Sequence, residues 1–277
     1  MNGAGNEILV LDLRHTGLRV SAAEARAIGR APGLHFDQMM VLYDAADPAH
    51  AAAMKIFNID GSLAQACGNG TRCVAWSLMR DSGAERIALE SDAGLLDVRR
   101  DAPFAFTVDM GAPVLDWRRI PLAGEGADTT RIPLVPSVEG APAHFSAVSM
   151  GNPHAIFFVP DAQAMDLDRL GPLIEHHALF PERVNASFAQ MISREQIVLR
   201  VWERGAGATL ACGTAACATV VAAVRLGLSE RKAKVALPGG ELSIEWREND
   251  GRVRMTGPVE LEGERPLSAD IFTRETT

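Results

Sequence analysis

Four cysteines, at positions 67, 73, 212 and 217, offer the most chemistry in this chain. They form two pairs far apart in sequence, spaced C-x5-C and C-x4-C. Structural zinc sites use closer C-x2-4-C pairs, and a stapled secreted scaffold would be shorter and denser in Cys. What the spacing does show is duplication. Ala66-Cys67-Gly68-Asn69-Gly70-Thr71 has an echo 145 residues further on in Ala211-Cys212-Gly213-Thr214-Ala215-Ala216. Three more landmarks keep step at an offset of 146: Gly5-Asn6 with Gly151-Asn152, Gly94-Leu95 with Gly240-Glu241, and Gly111-Ala112-Pro113-Val114 with Gly257-Pro258-Val259. Four landmarks in one order at nearly one offset imply two copies of the same unit.

Cys67 and Cys212 each follow a short apolar run and precede a helical pattern, with Gly next in line. A sulfur at a helix N-terminus lies near unpaired backbone N–H groups, which stabilise a thiolate and suit an anionic substrate group. If the two copies face each other about a pseudo-twofold axis, two thiols approach one bound molecule from opposite sides. One then removes a proton while the other returns one to the opposite face, which is what inversion of a stereocentre requires. A single unpaired cysteine would read as a core residue. The duplicated placement favours function for Cys67 and Cys212, whereas Cys73 and Cys217, inside the helices, are assigned to packing.

The elements that position these residues are mostly short strands. They are expected at 8–11, 39–43, 54–57, 86–90 and 104–108 in the first copy. In the second they fall at 155–159, 188–192, 197–202, 234–237, 242–246 and 252–256. A helix follows each Cys-Gly turn; the second is apolar nearly all round and should be enclosed by sheet. Ser21-Ala22-Ala23-Glu24 forms a capping box for a further helix, and 165–177 reads as helical too. The fold class is α+β: two pseudo-symmetric domains, each a mixed, curled β-sheet in a barrel-like roll around a central helix, with the active site in the interdomain cleft. The domains are expected at 1–115, joined by 260–277, and at 116–259.

At 277 residues and 29.6 kDa, with 47% hydrophobic and 22% charged residues, the chain has the composition of a globular protein. A net charge of −8 argues against nucleic acid and acidic membrane surfaces as partners. Two charge-free stretches, 141–160 and 205–224, are long enough for a membrane span. The first holds Pro142, Asn152 and Pro153, and the second is built of Gly, Ala, Thr and Cys, so neither reads as one. The opening Met1-Asn2-Gly3-Ala4-Gly5-Asn6-Glu7 lacks a basic segment before an apolar run, and a cytoplasmic protein is expected. No lysine sits in a Schiff-base pattern and no Gly-rich phosphate loop is evident, so no cofactor and no metal are expected.

The two Cys motifs resemble the signature motifs of the diaminopimelate epimerases, cofactor-independent enzymes that interconvert LL- and meso-diaminopimelate. The resemblance extends through Phe36-Asp37-Gln38, Phe57-Asn58-Ile59-Asp60-Gly61-Ser62, Met150-Gly151-Asn152-Pro153-His154, Phe180-Pro181-Glu182-Arg183-Val184-Asn185, Glu203-Arg204-Gly205-Ala206-Gly207 and Leu237-Pro238-Gly239-Gly240, all in family order. It implies that Cys67 and Cys212 are the two catalytic bases. It places Asn6, Gln38, Asn58, Asn152 and Asn185 as substrate-contacting amides and Glu203 with Arg204 as the charged pair at the substrate. Gly68-Asn69 and Gly213-Thr214 supply the backbone around each thiol, and His154 and Glu203 bias thiol ionisation. A diamino diacid needs acceptors, donors and both charge signs, which amides, a bidentate Arg204 and Glu203 would provide.

Thr214-Ala215 departs from the more usual Ser-Gly, a change that a regular first helical turn accommodates. The family also implies a homodimer with a small-molecule substrate, in lysine and cell-wall precursor biosynthesis. Two alternatives stay open: a proline racemase-like epimerase, and a catalytically silent ligand-binding or thiol-redox protein of the same fold.

Overall fold

The apolar runs between Gly, Pro and Asp punctuation become strands in both copies, and they pair in the same order twice. The structure is a computed structural model that describes residues 1–64, 67–92, 94–123, 128–267 and 271–272. Ala66 of the first Cys motif, and residues 268–270 and 273–277 of the expected C-terminal return, lie outside the described residues.

The chain divides into two compact units, Met1–Val108 with Gly257–Thr277, and Asp109–Thr256. The sequence predicts breaks after residues 115 and 259 instead. Backbone pairing decides both. Val114 exchanges hydrogen bonds with Ser149 and the Val253 amide donates to Gly111, which ties 109–115 to the second unit. The Val259 amide donates to Phe104 and Glu260 pairs with Asn2, which ties 257–260 to the first.

The first unit runs β1 (Ile8–Asp12), α1 (Ala22–Arg30), β2 (Gln38–Tyr43), β3 (Ala52–Asn58), β4 (Leu63–Ala64), α2 (Gly68–Met79), β5 (Arg86–Ser91), β6 (Gly94–Ala102) and β7 (Ala105–Asp109). Its sheet order is β1-β2-β3-β5-β6-β7, with β4 on β3. The pairs β1/β2 and β3/β5 are parallel and the rest antiparallel.

The second unit opens with β8 (Ile132–Pro133) and β9 (His144–Ser149). It then runs β10 (Pro153–Phe158), α3 (Leu167–Glu175), β11 (Asn185–Ser193), β12 (Gln196–Glu203), β13 (Gly207–Thr209), α4 (Gly213–Arg225), β14 (Lys232–Leu237), β15 (Gly240–Trp246) and β16 (Val253–Pro258). From β10 onward every element has its counterpart in the first unit. The pairings match as well, with β10/β11 and β12/β14 parallel and β13 on β12.

Both sheets curl. Helix α2 packs on β1, β2 and β6, and α4 on strands from β9 to β15. In the first sheet β1 and β6 stand four places apart, about 19 Å across a flat sheet at the usual strand spacing. A helix about 10 Å wide reaches both only if the sheet wraps around it. Helix α4 is buried along Gly213–Ala223, as its all-round apolar sequence predicts. Helix α1 starts at the expected capping box, Ser21 and Glu24 bonding reciprocally, and seals a core with Ile28, Phe36, Met39 and Phe57. Helix α3 does the same with Leu167, Leu170 and Ile174 against Phe157 and Phe188.

Strands β4, β6, β8, β9 and β13 are not anticipated by the sequence. Charge hides β6, whose Asp97, Arg99, Arg100 and Asp101 break the apolar alternation. It forms because both its edges are hydrogen-bonded, to β5 and β7, and Asp97 meets Arg86 of β5 at 2.7 Å.

Candidate active site

In the first unit Cys67 is the N-cap of α2. Its backbone is extended (φ −147°, ψ 96°), and its Sγ accepts the Gly70 N–H at 3.1 Å. The sulfur thus does what a Ser or Asp oxygen does at other helix starts, filling one of the unpaired N-terminal donors. The close approach depends on Gly70, where an added Cβ would fall 2.4 Å from Met40 Sδ of β2.

Side-chain amides lead away from the thiol. Asn6 Nδ2 points at Cys67 Sγ (3.9 Å) and at Gln38 Oε1 (3.5 Å). Gln38 Nε2 donates to Asn58 Oδ1 at 3.2 Å, and Asn58 Nδ2 donates to Ser62 Oγ at 3.0 Å. Asn69 is buried in the first turn of α2 against Gly3, and its Oδ1 has no hydrogen-bond partner among the described residues. Six predicted positions of this half, Asn6, Gln38, Asn58, Cys67, Gly68 and Asn69, therefore gather around one helix start.

The second unit repeats the frame with different chemistry. Cys212 caps α4 with similar backbone angles (φ −129°, ψ 108°) but without the close N-cap bond that Cys67 makes. Its Sγ lies 3.5 Å from Thr214 Oγ1, which accepts from Asn152 Nδ2 at 3.3 Å. Burial pushes the Cys212 thiol well above its usual range, and the Glu203 carboxylate pushes the same way. The Thr214 hydroxyl and the Ala215 amide oppose the shift without cancelling it. Glu203 accepts from Thr209 Oγ1 at 2.5 Å, a contact the sequence did not single out. Asn185 Oδ1 accepts the Arg204 amide at 3.0 Å while its Nδ2 donates to the Pro153 carbonyl at 2.8 Å. The Arg204 guanidinium donates to the Glu182 carbonyl at 3.0 Å.

His154, which the resemblance casts as biasing thiol ionisation, lies on β10, wholly buried, with Nε2 2.9 Å from Asn152 Oδ1. Since Asn152 Nδ2 faces Thr214, that Oδ1 is the acceptor and Nε2 carries the hydrogen. Burial, with the Arg204 charge adding to it, lowers the His154 pKa to about 3, so the ring is neutral near pH 7. It is linked to Cys212 through Asn152 and Thr214.

Strand register aligns the two halves residue by residue. Ile8 pairs with Gln38 and Gln38 with Asn58 in the first unit. His154 pairs with Asn185 in the second, and Ala186 with Trp202, which sets Asn185 beside Glu203. Asn6, Ile8, Gln38, Asn58, Cys67 and Gly70 thus correspond to Asn152, His154, Asn185, Glu203, Cys212 and Ala215. The match of Gln38 with Asn185 is one residue off the motif offset, so the repeated motifs alone do not reveal it.

Comparison with known proteins identifies a family for the whole chain. The family model for diaminopimelate epimerase matches residues 1–115 and 146–262. The diaminopimelate epimerase of Methylorubrum populi is 58% identical over 281 residues, covering 98% of this chain and 95% of that protein. Two solved structures share the fold. A hydroxyproline epimerase from Agrobacterium vitis has a TM-score of 0.60 at 15% identity, over 85% of this chain and 77% of its own. A PhzF-family phenazine biosynthesis protein from Bacillus anthracis has a TM-score of 0.58 at 13% identity, over 93% and 92%. With one family model spanning both thiol half-sites and a relative more than half identical from end to end, this chain belongs to the diaminopimelate epimerase family.

Proposed function

We propose that this chain is an isomerase that epimerises LL-2,6-diaminopimelate to the meso form by two-cysteine acid/base chemistry, with no pyridoxal phosphate. The observation that carries the reading is the duplication itself: two thiols at two equivalent helix N-caps, one with the Asn6 amide pointing at it and the other joined through Thr214 to the equivalent amide of Asn152. In each turnover the Cα–H bond breaks and its proton passes to one sulfur as thiolate. The S–H bond of the other thiol then breaks and its proton goes to the opposite face of the carbanion. The sulfurs exchange roles and no net proton is consumed.

The mechanism requires both sulfurs to reach opposite faces of one α-carbon. Cys212, its thiol form favoured by burial and Glu203, is suited to hold the proton at rest. Cys67, whose sulfur accepts an N–H, is suited to begin as the base. Arg204 and Glu203 suit a carboxylate and an ammonium of the substrate, and the unpartnered Asn69 Oδ1 suits a second ammonium. The same reading includes a homodimer and a cytoplasmic location. Among the described residues, no helix is long and apolar enough to cross a membrane.

The test is turnover of LL-diaminopimelate in deuterated water. Meso product with one α-deuterium is expected, because thiol protons exchange with solvent. Inversion without label, or no turnover of this substrate alongside turnover of proline or hydroxyproline, would overturn the reading.

A further inference from the structure

Glu175, the last residue of α3, has its side chain only 5% exposed, yet the two-thiol chemistry does not use it. Donors from three segments converge on its carboxylate. Trp202 Nε1–H reaches Oε2 at 2.7 Å, while the Gly205 amide at 2.9 Å and Arg183 Nη1 at 3.3 Å share Oε1. A buried carboxylate holds only where its lone pairs are filled in this way.

Arg183 and Gly205 belong to the two turns that carry the charged and amide residues of the second half-site, and Trp202 directly precedes Glu203 on β12. Arg183 lies two residues before Asn185, and Gly205 directly follows Glu203-Arg204. Both turns also bend through the left-handed backbone region, Arg183 at φ 61° and Gly205 at φ 78°, a conformation a non-glycine residue keeps only when its surroundings hold it. The Trp202 indole is pinned from the other side, since a Cβ at Gly171 of α3 would fall 2.2 Å from the ring.

We infer that Glu175 is a positioning residue. Its carboxylate brackets the 180–185 and 203–207 turns so that Asn185, Glu203 and Arg204 present one fixed geometry to a diamino diacid. Glu175 touches no substrate and acts only through these turns. The inference rests on the diaminopimelate reading for its effect on turnover, but not for its effect on the turns.

The test uses Glu175→Gln, which keeps the volume and removes the charge and one acceptor. KM for LL-diaminopimelate is expected to rise about tenfold or more with kcat changed less than about threefold, since the residues displaced are binding groups. In an Arg204→Ala background the same change should add less than about twofold, because the two residues act as a unit. A fully additive effect, or a loss of kcat at unchanged KM, would overturn the inference. Amide hydrogen exchange gives a readout that needs no substrate. Faster exchange confined to 182–185 and 203–207 supports the bracket; unchanged exchange there, or a uniform rise across the chain, defeats it. If wild type fails to label the α-carbon while exchange still rises in those turns, the functional reading falls and the bracket stands.

Discussion

The two thiol half-sites share one backbone frame and differ in what fills it. Where the first has Asn58, Ile8 and Gly70, the second has Glu203, His154 and Ala215. The first is built from neutral amides, and its cysteine sulfur accepts a backbone N–H. The second holds a carboxylate, a buried neutral imidazole and an arginine, and its thiol is driven toward the protonated form. Duplication provided two equivalent sulfurs, and substitution around them made the pair unequal. In a two-base mechanism one sulfur holds a proton while the other lacks it, and an unequal pair favours one of the two such states at rest.

The comparison breaks most decisively at the sulfurs. Cys67→Ser and Cys212→Ser should each lower kcat about 10³-fold or more, because a hydroxyl is a poor substitute for a thiol as base. A steady-state assay that finds one variant near wild type would reduce the mechanism to a single base.

A second difference lies in His154, which has Ile8 as its counterpart. Folded, it takes up a proton only near pH 3, against about 6.5 when unfolded. Between those values the unfolded chain binds more protons. The His154 contribution to stability is therefore complete above about pH 6.5 and is lost as pH falls toward 3. Urea unfolding from pH 7 to pH 4 should show a decline of a few kcal/mol that His154→Gln flattens. Parallel slopes for the two proteins would refute a buried neutral ring.

The third contrast is between Gly70 and Ala215, both three residues beyond their cysteines. Gly70→Ala should cost about 2 kcal/mol, since the new Cβ meets Met40 and the helix start must shift. Ala215→Gly should cost about 1 kcal/mol or less, the ordinary price of glycine in a helix. Equal losses in thermal unfolding would mean that the two helix starts are not packed differently. The smallest effect is expected from Thr214→Val, which removes the hydroxyl between Cys212 and Asn152. The acid–base limb assigned to Cys212 should move to higher pH with kcat reduced about threefold to tenfold, and an unmoved profile would remove Thr214 from the link.

Much of this frame was legible because its signals are local. A cysteine before a glycine and a helical run marks an N-cap, Ser21 and Glu24 mark another, and the Gly-bounded apolar runs mark strands. What escaped depends on contacts distant in sequence. The charged β6 is a strand only because it has two paired neighbours. His154 follows Gly-Asn-Pro, which reads as a loop, and is buried because β9 and β11 flank it. Glu175 has the composition of a helix end; its role depends on a turn thirty residues later.

The division of the chain has a consequence for what a shortened chain can fold. The second unit is one continuous stretch, Asp109–Thr256. The first is interrupted by it: the β-bridge of Asn2 with Glu260 and the bond from Val259 to Phe104 need residues on the far side of the second unit. A released chain cut back to residue 256 should therefore hold a protease-resistant second unit beside a first unit that is open to cleavage.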